Sequence, residues 1–368
     1  MKTSLYLIFI RFLYASVSLY AQCNGHEALC FKSYNEVAYL TTHNSYSSFE
    51  DGFDLPNQNL NITSQLNQGV RAFMLDVYSE DNELLLYHST PALGFSLLLE
   101  VLDEFKTFVD THPNEVLTLI LEDYSLFSDL SDAIASSGII EYLFVYDNQN
   151  GWPTLQELID HNKRIVLFSD QEVENSPAWF HFIWEHAVET HYSNASINDF
   201  SCHYNRGDAQ NDLFIINHFI TDVLLVLTNV QLYNEQVIEV NSNPFFSNRV
   251  SACEAEKSKF PNFITVDFFD IGNCLEVVNM INDVSNLDLY KTHFSPMIYP
   301  NPSQGLVYVK NIPSLTDFRI TNLQGEQVLE DIGVERSHHD FRLDLSSLDN
   351  GFYFLHFEEG VSPIILID

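Results

Sequence analysis

Between residues 35 and 285 the chain alternates short apolar runs with stretches of helical apolar spacing. The runs 37–43, 70–77, 84–88, 115–122, 164–169, 213–219 and 263–269 read as strands. The segments 62–68, 96–111, 154–161, 179–191, 222–240, 246–258 and 274–283 read as helices. In 96–111 the apolar positions recur at helical spacing, with Ser96 placed to cap the start and Pro113 just past the end. Strands alternating with helices over about 250 residues predict a parallel sheet, and that length fits a closed β/α barrel.

The polar residues gather where the apolar runs stop. The first run ends in His43-Asn44, the second in Asp76, the third in His88 and the fourth in Glu122-Asp123. Two later runs end in Asn217-His218 and Asp267. A carboxylate after any one strand has an ordinary explanation, because it caps the helix that follows. In a parallel barrel, however, the C-terminal strand ends converge on one mouth, where active sites lie. Two imidazoles there can divide base and acid work between them.

After Asn286 the rhythm changes to short strands separated by turn residues, at 306–310, 317–322, 326–329, 341–345, 351–357 and 363–367. That pattern predicts a small all-β sandwich over 298–368, reached through a linker at 286–297. The fold expectation is therefore α/β: a TIM-like barrel over 23–285 plus a C-terminal β-domain.

Composition narrows the partners. Hydrophobic residues make up 46%, enough for a large core, and 51 acidic against 16 basic residues give a net charge of -35. Nucleic acid is excluded as a partner, since phosphate backbones are bound by Lys and Arg clusters. Residues 1–21 carry one early Lys, a short apolar run broken by Arg11 and a small residue, as a secretory signal does, so the protein is expected to be secreted or displayed at the cell surface. Its cysteines can then oxidise. Cys23 and Cys30 form the expected local pair, and one of Cys202, Cys253 and Cys274 is left over.

The motifs resemble the X region of phosphatidylinositol-specific phospholipase C, most closely its plant and microbial PLC-like phosphodiesterase branch. The resemblance rests on the stretches 40–46, 62–78, 87–89, 115–124 and 164–168, on Asn205-Arg206, and on 261–268, in this order. It implies a TIM-like barrel and cleavage of a phosphodiester by attack of a neighbouring hydroxyl. His43 would be the general base and His88 the general acid. Asn44, Asp76 and Glu122 match the calcium-ligand positions of metal-dependent members, so Ca2+ or another divalent ion is expected. One further ligand position falls on Met74, leaving the set a carboxylate short unless Asp123 fills it. Arg206, Lys163 and Asn217 are candidate substrate contacts, and Asp267 is placed to orient His43. The implied partner is a phospholipid or another phosphodiester.

The tail resembles the sorting domain of type IX secretion substrates, through Tyr299-Pro-Asn-Pro-Ser-Gln-Gly305, Asn322-Leu-Gln-Gly325 and Asn350-Gly-Phe-Tyr353. It departs from them in ending on Asp368. The implied partner of this region is a secretion machinery. Two other readings stay open for the barrel: a glycerophosphodiesterase or sphingomyelinase D-like enzyme, and a non-catalytic protein that binds lipid or glycan.

Overall fold

A computed structural model describes residues 22–81, 83–221 and 230–284, and in the tail 297–299, 303–310, 319–322, 327–328, 333–336, 341–348, 350–357 and 360–366. The expected signal segment, nearly all of the expected linker and the start of the expected helix 222–240 lie outside the described residues. The chain divides into two compact units, Met1–Ser285 and Asn286–Asp368.

The first unit opens with β1 (Tyr39–Thr42), α1 (Ile62–Asn67), β2 (Ala72–Glu80), β3 (Glu83–Leu86) and β4 (Ser96–Leu97). Next come α2 (Leu98–Thr111), β5 (Leu117–Tyr124), α3 (Phe127–Ser137), α4 (Leu155–Asp160) and β6 (Ile165–Ser169). Then follow β7 (His181–Phe182), β8 (Ala187–Thr190), β9 (Tyr204–Gly207), β10 (Leu213–Asn217), α5 (Val230–Asn241), α6 (Phe245–Lys257), β11 (Phe263–Val266) and α7 (Cys274–Ile281). One sheet runs β7-β6-β5-β2-β1-β11-β10-β8-β9, with β3 and β4 attached beside β2. Every pairing from β7 through β8 is parallel.

The helices are held by their apolar faces. In α2, Leu98, Val101, Leu102, Phe105, Phe108 and Val109 are buried, a stripe at three- and four-residue spacing. Phe105 packs edge-on against Phe73 of β2, with ring centroids 4.8 Å apart. The strands β6 and β10 are buried at every residue, as strands covered on both faces must be. Two disulfides, Cys23–Cys30 and Cys202–Cys253, leave Cys274 as a buried free thiol.

The TIM-like α/β class holds, and several element assignments change. The sheet does not close: among the described residues no pairing joins β7 to β8. The run 84–88 is not a barrel strand, because β3 folds back antiparallel on β2 as a hairpin. The segment 179–191 is not a helix but β7, a 3-10 turn at Ile183–Glu185, and β8. Helix α3 has no counterpart in the sequence expectation. Ser96 does not cap α2; it pairs with Leu86, and the helix begins at Leu98.

The tail forms a sandwich. One sheet orders β12 (Met297–Tyr299), β13 (Leu306–Lys310), β16 (Phe341–Asp344) and β15 (Gly333–Arg336); the other orders β14 (Arg319–Asn322), β17 (Gly351–Phe357) and β18 (Gly360–Leu366). Val307, Val309 and Leu343 from the first sheet share one core with Ile320, Leu355 and Ile364 from the second. Of the expected strand 326–329 only 327–328 are described, where Gln327 bridges Thr321, and β15 is a strand the expectation did not include.

Candidate active site

Side chains alternate across a strand, so every second residue faces the same way. Leu40, Phe73, Leu119, Leu167, Ile216 and Ile264 pack with the helices. Tyr39, Ala72, Ile120, Phe168, Ala187, Ile215 and Phe263 form a second core on the inner face of the sheet. Stepping two residues at a time along this inner set toward the C-terminal ends gives His43, Asp76, Glu122, Asp170, Glu189, Asn217 and Asp267. One period-two rule therefore sends them all to one rim. All except Asp267 line a cavity of about 140 Å³, with Met74, Ile120 and Ile215 on its apolar side.

His43 follows β1 with its amide bonded to the Val266 carbonyl at 3.0 Å. Its ring stacks on Phe219, centroids 4.0 Å apart and 8° from parallel. His43 Nδ1–H donates to Asp267 Oδ1 at 2.9 Å. A neutral imidazole that spends its Nδ1 proton this way leaves Nε2 as the basic nitrogen. Asn57 Nδ2 donates to the other carboxylate oxygen, Asp267 Oδ2, at 3.1 Å, and Gln58 Nε2 donates to the His43 and Val266 carbonyls at 2.9 and 3.1 Å.

His88 follows the hairpin and bonds to Asp76, which lines the cavity. Its Nδ1–H donates to Asp76 Oδ2 at 3.2 Å, while the ring stays more than half exposed. That bond raises the His88 imidazole above its ordinary value against the opposing effect of burial, with Glu122 and Asp267 adding to the rise. The hairpin is steadied by a tyrosine ladder: Tyr78 lies between Tyr87 at 4.1 Å and Tyr124 at 4.6 Å, and the Tyr124 hydroxyl donates to Glu122.

Asp76 and Glu122 are register partners on β2 and β5. Asn44, at φ 44°, leaves β1 beside β2, where the Ser45 amide bonds to the Met74 carbonyl at 2.9 Å. Its Nδ2 donates to Asn57 Oδ1 at 3.2 Å, and its Oδ1 is buried with no hydrogen-bond partner among the described residues. An orphaned buried acceptor and a pair of carboxylates, Asp76 and Glu122, are the donor chemistry a hard divalent ion takes. Among the described residues no three His, Cys, Asp or Glu side chains converge as a metal cluster, so the candidate set is two carboxylates and one amide.

The far side of the cavity is built around Glu189, whose carboxylate is almost fully buried. It accepts from Arg206 Nε at 2.6 Å, Asn205 Nδ2 at 3.0 Å and Asn217 Nδ2 at 3.0 Å. The Arg206 guanidinium is held between Trp184 and Tyr192, 4.5 and 4.9 Å from the ring centroids. Asp170 completes the rim, with burial pushing its carboxyl up to about 6.

Not every expected residue arrives here. Lys163 precedes β6 at the opposite end of the strand, with Nζ bonded to the Glu141 carbonyl at 2.8 Å. Asp123 has the helix-side parity and binds the Ser125 amide at 2.9 Å and its hydroxyl at 2.6 Å, ordering the turn into α3. His218 is fully buried on the helix side, bonded to the Val240 carbonyl and Arg249, a core histidine. Glu189, Asp170, Asn57, Trp184 and Tyr192 were absent from the sequence expectation. Asp170 follows an apolar run as Asp76 and Asp267 do, so that signal was present; Glu189 was hidden inside a segment read as helix.

Similarity to known proteins identifies the family. Residues 29–282 match the family described as PI-PLC X 1, and residues 297–365 match the Secretion system C-terminal sorting domain. A PI-PLC X domain-containing protein of Arabidopsis thaliana is 26% identical over 275 residues, covering 68% of this chain and 62% of that protein. An uncharacterized secreted protein of Arthroderma benhamiae is 26% identical over 291 residues, covering 72% and 64%. The chain thus spans just under two thirds of the length of these two relatives. A Staphylococcus aureus phosphatidylinositol-specific phospholipase C structure overlays with TM-score 0.48 at 16% identity, covering 70% of this chain and 95% of that one. With more than half its length matched, and with the sorting domain behind it, the chain belongs to the PI-PLC X domain family.

Proposed function

We propose that this protein is an exported phosphoric diester hydrolase that cleaves a lipid phosphodiester through a cyclic phosphate. The observation that carries the reading is the pair of carboxylate-backed imidazoles, His43 on Asp267 and His88 on Asp76, with His43 and Asp76 lining one cavity. His43 Nε2 takes the proton of a head-group hydroxyl as that oxygen bonds to phosphorus. The bond from phosphorus to the lipid alkoxide breaks, and His88 delivers the proton to the leaving oxygen. Asp267 and Asp76 hold each ring and offset the charge it gains or carries.

The residues fit a divalent ion: Asn44 Oδ1, Asp76 and Glu122 would hold calcium, with water and substrate oxygens completing the shell. The bound ion would supply positive charge to the phosphate oxygens. Met74 lines the cavity at the remaining ligand position, so binding would be weak. The charge of the cavity also favours a head group. Asp76, Glu122, Asp170 and Glu189 face it, against one guanidinium already paired with Glu189. A head group bearing extra phosphates would be repelled; an uncharged polyol meets Arg206, Glu189 and Asn217 as hydrogen-bonding partners.

Met74 also favours a second reading, a non-catalytic binding protein, and one experiment separates the two. Release of phosphorylated head group is measured from phosphatidylinositol, phosphatidylinositol bisphosphate, phosphatidylcholine and glycerophosphodiesters, with calcium or with EDTA. Phosphatidylinositol should be turned over at least tenfold faster than its bisphosphate. His43→Ala and His88→Ala should each lower kcat by about 10²- to 10⁴-fold with little change in Tm. Turnover that survives both changes sinks the two-histidine mechanism, and chelator-insensitive turnover sinks the metal alone. Export would follow from the sorting domain, and deletion of 297–365 should retain the protein in the cell.

A further inference from the structure

We propose that Asn57 is a positioning residue that fixes the His43–Asp267 pair in the geometry a base requires; the inference rests on the reading of His43 as that base. Asn57 lies in the long loop after β1 and is pinned there by its own backbone. Its amide bonds to the Ser47 carbonyl at 3.0 Å, and its carbonyl accepts from the Phe268 amide at 2.8 Å, one residue past Asp267. The side chain then closes a ring of contacts. Nδ2 donates to Asp267 Oδ2 at 3.1 Å and sits 3.5 Å from His43 Nδ1; Oδ1 accepts from Asn44 Nδ2 at 3.2 Å.

Each contact removes a freedom. Asp267 is almost wholly buried, and among the described residues Asn57 is the one side chain that donates to its Oδ2 oxygen. A carboxylate held at only one oxygen can turn about its own axis and swing its acceptor away from the imidazole. Held at both, it presents Oδ1 to His43 Nδ1 and nowhere else. The imidazole then keeps its proton on Nδ1 and its lone pair on Nε2, toward the cavity. Phe219, stacked on the ring face, limits tilt but does not choose between the two nitrogens. The choice therefore falls to Asp267 and, through it, to Asn57.

Two variants test this. Asn57→Leu removes both side-chain bonds at similar volume. Asn57→Asp keeps an acceptor for Asn44, withdraws the donor from Asp267 and sets a carboxylate beside it. Both should lower kcat about 10- to 100-fold on the best phosphodiester substrate, with KM changed less than twofold. A residue that only held the loop would lower Tm and the folded fraction, leaving kcat per folded molecule intact. The second readout is the His43 tautomer, from nitrogen-15 spectra of the ring at pH 8, assigned by its loss in His43→Ala. The unsubstituted protein should show Nδ1–H, and Asn57→Leu a mixture of both tautomers. An unchanged kcat, a loss confined to KM, or a tautomer unaffected by Asn57→Leu would overturn the proposal. Should no phosphodiester be hydrolysed, the proposed function fails by itself, while the tautomer still decides the role of Asn57.

Discussion

Asp170 stands where β6 ends, accepting the Asp123 amide at 2.9 Å with the Glu122 carboxylate nearby. Burial, then the neighbouring carboxylates, lifts its carboxyl to about 6, well above a free aspartate at about 3.9. A folded value above the unfolded one means the associated stability is present at low pH and lost as pH rises through about 6. Asp170→Asn removes the charge and keeps an acceptor for the Asp123 amide. Thermal melts should therefore show the variant more stable than the parent at pH 8, by on the order of 1 kcal/mol after allowing for partial exposure, and equal to it near pH 4. The same local chemistry explains which site residues could be read from sequence. His43, Asp76, Glu122, Asn217 and Asp267 follow apolar runs and share the inner parity, so spacing alone located them. Asp123 follows an apolar run too, but one residue of phase turns it to the helix side, where it binds Ser125. Asn57 has no such signal, because a loop residue gains its partners only from what the fold brings beside it.

Among the elements, those with long apolar faces were legible and those built from a few residues were not. α2 spans Leu98–Thr111 with a continuous buried stripe, and the expected 96–111 differs from it only at the start. β7 and β8 have two and four residues, too short to display a period. The buried residues Phe180, His181, Ile183, Ala187 and Val188 imitate a helix stripe in one dimension. What makes β8 a strand is its pairing with β10 on one side and β9 on the other, contacts distant in sequence. That pairing carries Glu189 and Arg206 into the cavity. The Cys202–Cys253 disulfide ties the segment before β9 to α6 across a separation of 51 residues. In the loop-closure account a bridge of that span stabilises by about 4 kcal/mol. Urea unfolding of the Cys202→Ser/Cys253→Ser double variant should show a loss of roughly 2–5 kcal/mol, with weakened head-group discrimination if β9 is loosened.

For the molecule as a whole, the two units have separate cores: the tail cluster around Val307, Leu343 and Leu355 shares no residue with the clusters of the first unit. Every residue of the candidate site belongs to the first unit. Residues 22–285 should therefore fold alone, unfold in one cooperative transition and keep kcat within about twofold of the full chain. Loss of turnover in that fragment would show that the tail contributes to the site. Sequence by itself determined the alternation of strands and helices, the change of architecture near residue 286, and the inner parity that sends His43, Asp76, Glu122, Asn217 and Asp267 to one rim, because these follow from local periodicity. Tertiary structure alone decided that β3 folds back to bring His88 onto Asp76, that β8 is a strand bearing Glu189, that among the described residues no pairing closes the sheet between β7 and β8, and that Asn57 closes the bonds around Asp267. Each of those depends on pairing between residues far apart along the chain, where the free energy of a contact leaves no local trace in the pattern of side chains.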